Sequence, residues 1–426
     1  MPCRHSVCDC ILKHYNACMN KRLLYVLSAM VFAIILLCRC GGSQVSKDIR
    51  GTNFAGSASC AGCHSEIYAS YLTTAHHNTS RPAADSNVLG SFSAPGNVFA
   101  FPNGMDIVME KRDSGLFQSA YRNGQFQESA RFEIAIGSGR KAQTHIYFKG
   151  DQYFQLPISY LVSAHSWANS PGFPADHPRF DRVVTTSCLG CHSSKLAVKS
   201  IQEKGTGYTE HFEKGQVIYG IDCERCHGPA ADHVSFHQEH PSEKQARFIT
   251  KIDTLKNQLQ LDMCAVCHSG LKQSMQPVFN FRPGSSLKDY FYPDLSRPRV
   301  SDLDIHGTQY QLFTASQCFI QTKGMNCSSC HNSHATERTN MQVFSQRCMK
   351  CHSETDHNFC THTSVPAATL KQNCIDCHMP ALPSRTITLL TNGETSPTPD
   401  SIRTHLIAVY KQNAKGIIEM VRKENK

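Results

Sequence analysis

The sequence predicts a mainly α fold, built from short helices and interrupted once by a small antiparallel β insert. Three observations lead there. Cys-x-x-Cys-His occurs seven times, at Cys60-Cys63-His64, Cys188-Cys191-His192, Cys223-Cys226-His227, Cys264-Cys267-His268, Cys327-Cys330-His331, Cys348-Cys351-His352 and Cys374-Cys377-His378. One copy stands alone near Cys60, and after a long gap six crowd between Cys188 and His378. Inside the gap, residues 95–165 alternate apolar and polar side chains around two turn signals, which is the period of a strand.

The repeated motif is the attachment signature of c-type haem. Two intervening residues on a helical turn bring both sulfurs to one porphyrin edge, and the next residue offers its imidazole to the iron. Zinc sites also use Cys-x-x-Cys pairs, yet they have no need of histidine directly after every pair. A thioredoxin-like redox motif needs a single pair in a βαβ setting. Seven covalently bound haem c groups are therefore expected. The six crowded motifs leave too little polypeptide to wrap each haem in its own core. Stacked haems with short helices between them should form the interior over residues 166–385, and the uneven spacing excludes a solenoid.

In the insert, Met105–Glu110 alternates and Asn123-Gly124 marks a hairpin turn. A second hairpin is readable over His145–Leu156, with Lys149-Gly150-Asp151 at its tip. Its expected role is to cover the first haem; a docking surface for a redox partner or substrate is the alternative. Residues 386–426 read as a polar linker, Thr386 to Asp400, and a closing helix, Ile402 to Val421.

Residues 1–39 read as a leader. Met19-Asn20-Lys21-Arg22 followed by Leu23 to Leu37 has a positive n-region and an apolar h-region, so translation is expected to start at Met19. The apolar run ends at Cys40-Gly41-Gly42-Ser43, which makes Cys40 a candidate lipidation site; plain cleavage and a retained helix are the alternatives. Residues 40–94 then hold an anchor linker and the first haem. Each alternative exports the chain, which predicts a bacterial periplasmic or envelope-facing protein in membrane contact through its N-terminal anchor. Beyond residue 40 two cysteines lie outside the motifs, Cys318 and Cys360. In an exported chain they are expected to form a disulfide, with two separate thiols beside haems as the alternative.

The formal charge of +9 is no sign of nucleic-acid binding. Fourteen propionates would carry the mature holoprotein to roughly −2 oxidised and roughly −9 reduced. Many lysines and arginines should therefore face propionates.

A bis-histidine haem needs a second imidazole from outside its motif. Local spacing nominates His76 (with His77 as understudy), His233, His237, His306, His334, His357 and His405 as candidate distal iron ligands. His145, His165, His177, His211, His240 and His362 lack comparable placement and read as surface or propionate-facing histidines.

The segments Ser59–His64, Gly220–Pro229, Met325–His334 and Cys374–Pro380 resemble the cytochrome c-554 related multihaem cytochromes, within the larger group that contains hydroxylamine oxidoreductase and pentahaem nitrite reductase. The resemblance spans roughly residues 55 to 410. It implies a mostly helical scaffold, haems in alternating parallel and perpendicular pairs, mostly bis-histidine irons, and electron transfer. The Cys-x-x-Cys-Lys of the nitrite reductase is missing, and seven motifs do not reproduce the eight haems of hydroxylamine oxidoreductase.

The expected function is electron transfer between redox proteins or a quinol-linked membrane complex and an external acceptor. The alternative is an oxidoreductase acting on a small nitrogen or sulfur compound at one open haem, with Arg140, Lys141, His145 and Tyr147 as a source of protons and charge. Intact-mass measurement of the native protein should exceed the polypeptide by seven haems; apoprotein mass, or bound zinc, would contradict the assignment.

Overall fold

The computed structural model describes Val26, residues 48–412 except 206, 271, 272, 294, 296, 297, 339 and 364, and residues 415, 416 and 419. The leader other than Val26, the candidate lipidation site Cys40, and part of the second half of the expected closing helix lie outside the described residues. From Ile49 onward the chain forms one unit.

Both anticipated turns form. Asn123 and Gly124, at φ 49° and 76°, join Gly115–Arg122 to Gln125–Arg131. Gly150, at φ 65°, sits in the turn between Ala142–Lys149 and Gln152–Gln155. Left-handed backbone of this kind suits glycine and asparagine and matches the twist of a hairpin. Val98–Ala100, Met105–Arg112 and this first hairpin make a four-stranded antiparallel sheet. A second, nine-stranded sheet packs against it. Alternation fills the interface, where Phe99, Ile107, Met109 and Leu116 of the smaller sheet meet Tyr147, Leu156, Ile158 and Trp167 of the larger. The Gln118 carboxamide ties the layers, donating to the Ile158 carbonyl at 2.7 Å and accepting from its N–H at 3.1 Å.

The mainly α expectation is overturned: strand is about as abundant as helix, and several antiparallel sheets organise the chain. Two hairpins arise where none was expected. Ser193–Lys204 pairs with Gly207–Tyr219, in the region assigned to helices between haems. Ala381–Thr391 pairs with Thr398–Arg403, where a polar linker and the start of a helix were expected. The physical reason is that an attachment motif requires only one helical turn and says nothing of its flanks. Those flanks carry the alternating β-branched pattern of strands, as in Thr386-Ile387-Thr388-Leu389, with Leu389 fully buried.

Helices cluster in the second half of the unit. Asn257–His268 buries Ala265 and Val266 against Val278, Phe281, Leu287, Tyr290 and Phe291. Among the described residues no helix is long and apolar enough to cross a membrane. Ile107 is fully buried between the sheets, so Ile107→Ala should lower unfolding free energy by about 2–5 kcal/mol, measured by chemical denaturation.

Candidate haem sites

Each attachment motif begins on a single tight turn. The His64, His331 and His352 N–H groups donate to the carbonyls of Cys60, Cys327 and Cys348, at 2.9, 2.9 and 3.0 Å. The third and seventh motifs are one-turn helices, Cys223–His227 and Cys374–His378, and the fourth ends the helix Asn257–His268. Such a turn carries two sulfurs and an imidazole on one side, as a thioether-bound porphyrin requires.

The histidines show what that turn presents. His378 Nδ1 lies 2.9 Å from the Ala408 carbonyl, His352 Nδ1 3.2 Å from that of Asn358, and His227 Nδ1 3.3 Å from that of Thr250. His192 Nδ1 lies 3.0 Å from Thr79 Oγ1. An Nδ1–H held by an oxygen leaves the Nε2 lone pair for a metal. Burial pushes His192 and His268 down to about 4, which keeps these rings neutral, the ligating form.

Four motif histidines face a second imidazole from a distant segment. The His64 and His233 rings lie 12° from parallel with centroids 6.5 Å apart, those of His227 and His334 14° from parallel at 5.9 Å, and those of His331 and His405 30° from parallel at 6.1 Å. His268 faces His76 at 6.2 Å, edge to face. Two imidazole nitrogens about 2 Å from one metal ion, on opposite sides, place ring centroids roughly 6 Å apart. The spacing thus fits one iron between each pair. His306 lies near His192 and contributes to depressing it. Among the described residues no group of three or more His, Cys, Asp or Glu converges as a structural zinc site requires. The residues present fit haem c.

Buried polar contacts bring the segments together. Glu224, within the third motif, accepts from the N–H groups of Ala55, Gly56 and Ala230 at 2.8–2.9 Å. Arg50 bridges it to Asp222, with contacts of 2.9 and 2.7 Å. This network seats the segment entering the first motif on the third. Ile221 N–H donates to the His76 carbonyl at 2.9 Å, and the Tyr71 hydroxyl to the Ile221 carbonyl at 2.8 Å. Gly220 permits that approach, because it has φ 65° and a Cβ there would run into the His77 carbonyl oxygen. Asp304 accepts from the N–H groups of His306 and Arg385 and from the Ser384 hydroxyl. Burial opposes its ionisation, but these bonds outweigh burial and hold its carboxyl down at about 2.

Other nominated residues are placed differently. His237 lies beside His233, at 4.7 Å, rather than opposite a motif histidine. His357, at φ 56°, is exposed and lines a cleft with Cys360 and His362. His77 packs edge-on against Tyr71. Cys318 and Cys360 are both free thiols, so the expected disulfide is not formed. Cys318 lies close to Cys330 and Cys348, and Cys360 close to Cys377.

The group Arg140, Lys141, His145 and Tyr147 does not form a reactive cluster. His145 is fully buried, packed on Phe132, with its pKa pushed by burial to about 3. The Tyr147 hydroxyl donates to the Phe180 carbonyl, and the Lys141 ammonium to that of Ser401. Strand alternation turns His145 and Tyr147 into the protein core. Arg50, Glu224, Gly220 and Asp304 escaped the sequence reading, because their roles depend on contacts far apart in the chain. Only the position of Glu224 between two attachment cysteines was a signal.

Residues 174–228 match the family model for cytochrome c554 and c-prime, a stretch that contains the second and third motifs. The fold is similar to that of the outer cell wall cytochrome OcwA, with a TM-score of 0.50, 17% sequence identity, and coverage of 85% of this chain and 81% of that one. No curated protein matches this chain. The attachment motifs and the family match over residues 174–228 support a multihaem c-type cytochrome with covalently bound haem c; the likeness to OcwA is one of fold. Gly220→Ala should destabilise the fold by at least ~2 kcal/mol. It should also disturb the low-spin spectrum of one haem, by displacing His76 from His268; thermal unfolding and electron paramagnetic resonance check the two effects.

Proposed function

We propose that this chain is a heptahaem cytochrome that carries electrons between redox partners at the cell envelope. The observation that carries the reading is the set of facing histidine rings, four pairs at 5.9–6.5 Å. Haem bound at these motifs supplies one-electron chemistry. An iron ligated on both faces is closed to small molecules, so the protein's task becomes holding neighbouring groups and setting their potentials. In this reading His64, His192, His227, His268, His331, His352 and His378 are the proximal ligands. His233, His306, His334, His76 and His405 are the distal ligands of the first, second, third, fourth and fifth haems.

The donor would be a redox protein or a quinol-linked membrane complex. Export, with a lipid anchor at Cys40, fits c-type attachment outside the bacterial inner membrane and the wall location in the name of OcwA. Kinship with the wider group of hydroxylamine oxidoreductase and pentahaem nitrite reductase belongs to the same proposal.

One observation favours a second reading, reduction or oxidation of a small nitrogen or sulfur compound. A cleft of about 430 Å³, lined by Glu354, His357, Cys360, His362 and Leu370, lies beside the sixth and seventh motifs, with Cys360 close to Cys377. Electron paramagnetic resonance on the oxidised protein separates the two. Only low-spin ferric signals are expected for a conduit, whereas a high-spin signal that shifts with nitrite, hydroxylamine or sulfite would establish the enzyme.

A further inference from the structure

The second, third and fourth motifs meet at one backbone carbonyl. Gly190, between the two cysteines of the second motif, accepts there from Arg225 Nη2 of the third at 3.4 Å, and Cys267 Sγ of the fourth lies 3.9 Å from the same oxygen. The same Nη2 donates to the Val278 carbonyl at 3.0 Å. Gly190 allows the meeting, since a Cβ there would stand 3.1 Å from the Val278 Cβ and 3.0 Å from the Thr186 carbonyl oxygen.

The Arg225 guanidinium donates to carbonyl oxygens, and no carboxylate among the described residues forms an ion pair with it. Its neighbours in sequence, Asp222 and Glu224, are both paired with Arg50, a trio that keeps one net negative charge, so with Arg225 and Lys195 the junction retains a net positive charge of about one. A second cation adds to the field: the Arg225 guanidinium and the Lys195 ammonium lie 5.7 and 5.8 Å from the Phe279 ring. Reduction adds one negative charge to a haem, so a fixed cation in a partly buried setting favours the reduced form.

Resting on the electron-transfer reading above, we infer that Arg225 is the electrostatic hub of the haem array. It is a positive charge fixed where the second, third and fourth attachment segments meet, and it raises the reduction potentials of those haems above what their ligands alone would set. An electron reaching any of these three haems is then held there more tightly than their ligands alone would hold it. Arg225 is a positioning and tuning residue; it ligates nothing.

The test is potentiometric titration of the full-length holoprotein, followed optically and by electron paramagnetic resonance, for Arg225→Gln and Arg225→Lys. Arg225→Gln should lower a subset of midpoint potentials by on the order of tenfold in the one-electron equilibrium constant, about 59 mV, and leave the remainder in place. Arg225→Lys, which keeps the charge, should stay near the native values. Unchanged potentials in Arg225→Gln overturn the inference, and so does an equal shift in Arg225→Lys, which would make the guanidinium fork, and not its charge, the active feature. Should Arg225→Gln lose haem by mass, Arg225→Lys decides: restored haem with lowered potentials is the overturning result. A protein without reversible low-spin haem titration refutes the conduit itself, a different outcome from these.

Discussion

Opposed imidazoles about 6 Å apart are the constraint around which the rest of this molecule is arranged. A motif histidine is fixed by its own turn, but its counterpart comes from elsewhere, so every pair dictates a meeting of distant segments. His233 follows the third motif and faces the first, and His334 follows the fifth and faces the third. His76 follows the first and faces the fourth. The attachment segments are thereby interlocked rather than strung in sequence, and neighbouring haem positions share pieces of chain.

The sheets serve this arrangement as a rigid frame. The hairpin Ala381–Thr391/Thr398–Arg403 starts just after His378 and ends just before His405. Its first strand is anchored by pairing Ala168 and Asn169 with Thr391 and Leu390. One β element thus supports the seventh motif at one end and the imidazole facing His331 at the other. At the opposite side of the frame, Ser80–Pro82 pairs with Ile134–Ile136. The short segment before that strand carries His76, and Thr79 within it touches the His192 ring. Ligands presented from strand ends keep their geometry better than ligands on free loops.

Charge is handled in two contrasting ways around the motifs. Arg50, Asp222 and Glu224 form a nearly dry cluster in which each group is paired and the remaining carboxylate lone pairs are met by backbone N–H groups. That arrangement lets buried ions be tolerated. Among the described residues the side chain of Arg225, two residues from Cys223, meets carbonyl dipoles and an aromatic ring and no carboxylate, so its field remains available to whatever lies beside it. The same short helix therefore combines an ion-paired network that fixes position with a cation that sets electrostatics.

The amino-acid sequence alone determined the chemistry: seven Cys-x-x-Cys-His segments can be read without any tertiary knowledge, because attachment is local to a single turn. The two turns at Asn123-Gly124 and Lys149-Gly150-Asp151 were legible for the same reason. Tertiary structure decided how much of the chain is sheet, since the motifs are silent about their flanks and a short alternating stretch such as Ile387-Thr388-Leu389 becomes a strand only where a partner strand pairs with it. It alone decided which imidazole faces which, why His237 stands aside from His233, and why Cys318 and Cys360 remain apart. Those outcomes rest on distances between residues far apart in the chain, which long-range packing and buried hydrogen bonds establish and no local spacing encodes.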